Sequence, residues 1–308
     1  MKSLVILFLL FPCILFSQTT DKNGKDISVS PMVDGTILVP STTEKPPLAI
    51  LIGGSGPIDR NGNQQMMKNN SLKFLAEALY DNDIAVFRYD KRIVKQIKDR
   101  TLNEESIHFD DFIKDAIDVI EYFKRSKAFS KIYVIGHSQG SLVGMIAAQN
   151  RADGFISLAG AGQEIDDVIV DQLEKQAPGL KDNARESFDD MRANGVAVNY
   201  NPGLASIFRP QIQPFLITWM NYNPQTEIAK LTIPVLIING EKDLQVQVSE
   251  AEKLKEANPN AQFEIIPSMN HILKEIEGDG IENSKSYNEP SRPIIPKVVE
   301  VISTFILQ

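Results

Sequence analysis

The sequence predicts an α/β protein: a doubly wound, mostly parallel sheet of eight strands, interrupted once by an inserted helical cap. Three observations predict it. From Leu48 onward, short apolar runs alternate with helical patterns, as strands buried on both faces alternate with covering helices. Ahead of that alternation lie two strand-like stretches joined at Asp34-Gly35, a turn dipeptide, giving an antiparallel opening. Between residues 163 and 225 the alternation stops, and acidic helical patterns and aromatic side chains replace it.

In order, strands are expected at Ile27–Met32, Thr36–Val39, Leu48–Ile52, Ile84–Tyr89, Ile132–Ile135, Gly154–Leu158, Thr232–Asn239 and Phe263–Ile266. Leu72, Leu75, Ala76 and Leu79 form one apolar stripe at helical spacing, and so do Phe112, Ile113, Ala116, Ile117, Ile120 and Phe123. The charged Ile93–Asp99 reads as loop. The helical patterns Val248–Ala257 and Ile295–Leu307 close the chain. Residues 18–162 and 226–308 thus form a core, and 163–225 form the inserted cap.

Residues 1–17 read as an export signal. Lys2 supplies the positive start, Leu4–Phe16 the apolar stretch, and Ser17 a small residue before Gln18. The run is short for a bilayer span, so removal and a periplasmic or extracellular location are expected, without stable membrane insertion. The only cysteine, Cys13, follows proline, which disfavours lipidation there. The mature chain then needs no disulfide.

The formal net charge of −8, with no basic cluster, argues against nucleic acid. The three histidines, His108, His137 and His271, lack metal-ligand spacing, so no metal is expected. Gly53-Gly54-Ser55-Gly56 lacks the patterns of Walker A and dinucleotide-binding loops. No pattern speaks to oligomeric state.

The chemistry gathers at predicted strand ends, where ligands sit in such sheets. Gly136-His137-Ser138-Gln139-Gly140 joins a strand to a helix, the setting in which a serine flanked by glycines is exposed on a sharp turn. Asp243 lies just past the seventh strand and His271 just past the eighth. Serine, acid, histidine in that order suit nucleophilic acyl transfer, with Ser138 as nucleophile, His271 as base and Asp243 orienting the imidazole. Glu241 is the alternative acid. The backbone N–H groups of Ser55 and Gln139 are the expected oxyanion donors. His137 is expected to pack, His108 to cap or face solvent, and Asp90 and Arg92 to pin their loop by an ion pair, with bordering the substrate as their alternative. Asp59 and Arg60 lie close to the proposed oxyanion loop and are candidates for substrate contact. Most cap aromatics, among them Trp219 and Phe215, should glue the cap down while one or two line a pocket.

With these motifs the chain resembles a secreted bacterial member of the alpha/beta hydrolase superfamily, in the group of serine aminopeptidase-like and acyl-ester hydrolases. Ile52-Gly53-Gly54-Ser55-Gly56-Pro57 resembles the oxyanion loop, and Asn239-Gly240-Glu241-Lys242-Asp243 and Asn270-His271 the acid and base segments. Arg88-Tyr89-Asp90-Lys91-Arg92 resembles the segment after the fourth strand, although Ile93 stands where many relatives carry glycine. The resemblance implies the alpha/beta-hydrolase fold, a helical cap, no cofactor, and a small-molecule ester, amide or short peptide substrate. Hydrolysis of small or medium acyl or aryl esters is the leading expectation. An exopeptidase or amidase would need acids such as Glu164, Asp166 or Asp167 projecting into the pocket to hold an α-amine. A non-catalytic binding protein on the same scaffold is the alternative from another class.

Overall fold

The computed structural model describes Lys22 and residues 24–308, so the expected export segment, Cys13 included, lies outside the described residues. Eight strands form one sheet: β1 Lys25–Ser30, β2 Val33–Leu38, β3 Leu48–Ile52, β4 Ala85–Tyr89, β5 Ile132–His137, β6 Gly154–Leu158, β7 Val235–Gly240 and β8 Gln262–Ile266. Their spatial order is β1-β2-β4-β3-β5-β6-β7-β8. β1 and β2 pair antiparallel, as do β2 and β4, and the pairs from β4 to β8 are parallel.

Among the described residues, twelve α-helices accompany the sheet. They are α1 Ser71–Tyr80, α2 Arg92–Asp99, α3 Phe109–Ser126, α4 Gln139–Ala148, α5 Ile165–Gln176, α6 Lys181–Asn194, α7 Ala205–Phe208, α8 Gln213–Trp219, α9 Pro224–Ala229, α10 Val248–Ala257, α11 Gly280–Ser286 and α12 Pro296–Leu307. Alternate residues of the central strands feed two cores, because successive side chains of a strand point to opposite faces. Ile50, Phe87, Val134 and Phe155 pack with the apolar stripe of α3 and the small residues of α4 on one face. Leu51, Val86, Ile135 and Ile238 pack with α1 and α12 on the other. With both faces covered, β3 to β7 are buried along their whole length, which is why they read as unbroken apolar runs.

Two expectations about local structure are corrected. The first hairpin turns at Pro31-Met32, and Asp34 and Gly35 lie inside β2, opposite Ser28 and Ile27. Gly35 serves close packing there: a Cβ would stand 2.3 Å from the Phe87 ring. Ile93–Asp99, expected as loop, is helical. Its apolar stripe is short, with Ile93 only half-buried and Ile97 exposed, and the charges of Arg92 and Lys95 that mask it pair with Asp115 of α3 and Asp34 of β2.

Between β6 and β7 runs the helical segment α5 to α9, with a core of its own built on Phe188, Met191, Leu204 and Phe208. It is seated on the sheet domain by aromatic contacts. Phe109 of α3 stacks on Trp219 at 5.3 Å between ring centroids, and Phe112 meets Phe215 edge-on at 5.6 Å. Thr218 Oγ1 accepts the Phe109 N–H at 2.8 Å, satisfying a donor that the start of α3 leaves free. His108, the residue before α3, joins a capping box with Asp111.

Candidate active site

Ser138 sits between β5 and α4 with φ 55° and ψ −122°, a backbone conformation that costs a residue with a side chain of order 1–3 kcal/mol. The two flanking glycines permit the turn by close approach. A Cβ on Gly136 would stand 2.2 Å from the Gly140 carbonyl oxygen, and one on Gly140 would stand 2.4 Å from that of Ile52. The Ser138 N–H donates to the Leu158 carbonyl at 2.9 Å, tying the turn to β6.

Asp243 follows β7, and its Oδ1 accepts the N–H groups of Gln245 and Val246 at 2.8 and 2.9 Å. Its Oδ2 accepts from His271 Nδ1 at 2.8 Å, and both side chains are buried. That bond leaves His271 Nε2 as the free ring nitrogen. Glu241 is exposed and is not the partner. The His271 loop is held by Asn270, whose Oδ1 accepts the Ile272 and Lys274 N–H groups. Asn270 Nδ2 donates to Asn283 Oδ1 and Ser286 Oγ of α11. The His271 carbonyl in turn accepts from His137 Nε2 at 2.7 Å. Burial, then the neighbouring His271, depresses His137 to about 4, so it stays a neutral donor near neutrality.

Ser138 and His271 line one cavity of about 230 Å³ with Gly54, Ser55 and Tyr287. A second, of about 320 Å³, runs from Ser138 and Gln139 beneath Ile165, Val168 and Trp219 of the cap. Ser55 borders both. Among the described residues nothing accepts from the Ser55 N–H, and the Gln139 N–H lies at the start of α4, where helical N–H groups have no intrahelical partner. Two backbone donors therefore flank the serine. Such an arrangement suits a nucleophile, a base with a fixed tautomer, and donors for an oxyanion.

A family model described as Hydrolase_4, serine aminopeptidase S33, matches residues 68–277, more than half of the chain. The chain belongs to the serine aminopeptidase S33 family. It is therefore an alpha/beta-hydrolase enzyme, and its relatives agree with the sheet described above. It is 28% identical to the esterase EstD of Thermotoga maritima over 300 residues, covering 92% of this chain and 67% of that protein. Est1E from Butyrivibrio proteoclasticus superposes with a TM-score of 0.57 at 18% identity, over 92% of this chain and 99% of the other. The proline iminopeptidase of Mycobacterium smegmatis superposes with a TM-score of 0.55 at 13% identity, over 92% and 97%.

In this family member, several side chains flagged by sequence turn out to be structural. Asp90 and Arg92 do not pair with each other. Asp90 pairs with Arg60 at 2.7 Å, and Arg92 with Asp111 and Asp115 of α3. Arg60 also reaches Asp26, while Asp59 Oδ1 accepts the Asn61 and Asn63 N–H groups, so both brace the loop after β3 and neither lines the cavities at Ser138. The cap acids are likewise committed. Asp166, nearly fully buried, takes Arg185 and Arg192; Glu164 takes Arg192, and Asp167 takes Arg185. Burial pushes the Asp166 carboxyl up, but the two guanidinium groups outweigh it and hold it below the ordinary range.

Sequence reasoning named Lys91 and Asn270 only as members of longer segments and gave neither side chain a role. Lys91 is 5% exposed, an unusual position for a lysine and invisible in a charged Asp-Lys-Arg string.

Proposed function

We propose that the protein is a serine esterase that hydrolyses carboxylic esters of small to medium acyl or aryl groups through an acyl-enzyme. Ser138 Oγ attacks the ester carbonyl while His271 Nε2 takes its proton. His271 returns that proton to the departing alkoxide, and a water then repeats the sequence on the acyl-enzyme. Asp243 keeps the Nδ1 proton in place and stabilises the imidazolium. The N–H groups of Ser55 and Gln139 receive the developing oxyanion, each donor being worth about 3–4 kcal/mol in the transition state.

The single observation that carries this reading is the 2.8 Å hydrogen bond from Asp243 to His271, whose imidazole lines the same cavity as Ser138. The choice of ester over peptide rests on the cap. A peptidase that holds an α-amine needs an uncommitted carboxylate, and Glu164, Asp166 and Asp167 are each paired with arginine. A chamber of about 370 Å³ beside Gln139 is instead walled by Ile93, Leu102, Ile107, Phe215 and Leu216, suiting an apolar acyl or aryl group. Export from the cytoplasm is part of the proposal and rests on the sequence of residues 1–17 alone.

The test is a p-nitrophenyl ester series beside an aminoacyl-anilide series, for the wild type and Ser138→Ala. Ester turnover without anilide turnover, lost in a folded Ser138→Ala protein, is expected. Anilide turnover matching or exceeding the esters would replace the ester reading, and an active Ser138→Ala would remove the mechanism.

A further inference from the structure

We infer that Lys91 is a positioning residue that holds both halves of the oxyanion hole, through the Gly54 carbonyl and the Gln139 side chain. Lys91 follows β4 and turns inward to a site between β3 and α4. Its Nζ donates to the Gly54 carbonyl oxygen at 2.8 Å and to Gln139 Oε1 at 2.6 Å. The ammonium lies 4.3 Å from the centre of the Phe112 ring.

Why the Gly54 bond matters follows from the peptide unit. Gly54 C=O and Ser55 N–H belong to one planar peptide, and no described peptide is cis, so the two bonds point to opposite sides. Gripping the carbonyl from the Lys91 side turns the Ser55 N–H away from Lys91. That peptide packs on the nucleophile: a Cβ on Gly54 would lie 3.2 Å from Ser138 Cβ. Its free N–H is thus fixed on the side where the Ser138 cavities open. Gln139 supplies the second N–H, and its side chain is tied to the same ammonium. One buried cation therefore spans the loop after β3 and the start of α4, two segments 85 residues apart in sequence (139 − 54 = 85).

Lys91 donates N–H groups to both acceptors whether its amine is charged or neutral. Two carbonyl-type acceptors and an aromatic face are partners for positive charge, although burial pulls its pKa down to about 7. Asp115 and Tyr89 border the small space beside it, but Asp115 is committed to Arg92. A positive centre behind the Gly54–Ser55 peptide also reinforces that peptide's dipole, whose N–H end faces the developing oxyanion. In a loop rich in glycine few side chains are available to hold one peptide orientation, so a bond made to the peptide itself counts for more.

The inference rests on the serine mechanism proposed above and is tested on Lys91→Met and Lys91→Gln. With a p-nitrophenyl ester, Lys91→Met should lower kcat by about 30- to 100-fold, somewhat below the loss of a whole oxyanion donor, with KM changed less than about twofold by the rule that a transition-state interaction appears in kcat. An arylboronic acid, which forms a tetrahedral adduct with the serine, should lose affinity by a similar factor. Lys91→Gln keeps a donor toward the Gly54 oxygen and should recover part of both. Where Lys91→Met fails to fold, the Lys91→Gln and wild-type boronate affinities make the comparison. An unchanged kcat, a loss confined to KM, or a boronate affinity that does not follow kcat would overturn the assignment. Ser138→Ala separates the two failures: if it is inactive while Lys91→Met is fully active, only the role of Lys91 falls.

Discussion

Asp243 divides its two carboxylate oxygens, giving Oδ2 to His271 Nδ1 at 2.8 Å and Oδ1 to the backbone N–H groups of Gln245 and Val246. The backbone bonds fix the carboxylate plane, so the imidazole meets an acceptor already in position. In Asp243→Asn one side of the amide must still face those two N–H groups, which requires its oxygen there. The NH₂ then faces His271 and forces the proton onto Nε2, the nitrogen that must be free. We expect kcat to fall about 10³- to 10⁴-fold with little loss of fold. The check is kcat/KM on a p-nitrophenyl ester together with Tm, and a loss of less than tenfold would dismiss Asp243 as the orienting acid.

Ser138 holds a backbone conformation that disfavours any residue with a side chain. At φ 55° a glycine is relaxed, whereas alanine keeps the Cβ clash of serine. Both Ser138→Gly and Ser138→Ala should be inactive. The glycine variant should be the more stable by about 1 kcal/mol, after the greater unfolded-state freedom of glycine is set against the relief of strain. Urea unfolding of the pair measures this, and equal stability would show that the turn stores no strain at this residue.

His137 makes stability depend on pH. Its pKa falls from 6.5 when unfolded to about 4 in the folded protein, chiefly because it is buried and secondly because the His271 ring lies beside it, with the hydrogen bond to the His271 carbonyl and then Asp243 opposing. Between those values the unfolded chain binds more protons than the folded one. Stability therefore rises with pH through this window and is lost as pH falls from about 6.5 to about 4, with a slope approaching ~1.4 kcal/mol per pH unit. Urea unfolding at several pH values, for wild type and His137→Gln, should show the steeper loss in the wild type. Parallel losses would mean that His137 is not the group responsible.

What the sequence determined by itself was local or periodic. Buried parallel strands announced themselves as unbroken apolar runs, because the sheet is covered on both faces. The turn at Ser138 was legible because its requirements, a strand before, a helix after and a glycine on each side, all fall within a few residues. Asp243 and His271 could be nominated from their places after β7 and β8, since such sheets gather functional groups at those ends.

Only the tertiary structure decided how charged and amide side chains are spent. Asp90 and Arg92 were expected to pair with each other, yet the members of Asp90-Lys91-Arg92 go three ways: to Arg60, to the Gly54 carbonyl, and to α3. Glu164, Asp166 and Asp167 could have held a substrate amine, and Arg185 and Arg192 of α6 take them instead. Asn270 is legible as the neighbour of His271, but its partners Asn283 and Ser286 are supplied only when α11 closes over it. The physical reason is common to all of these. Apolar burial repeats along the chain with the period of the element, whereas a hydrogen bond or ion pair is satisfied by whichever residue the fold brings near, often far away in sequence.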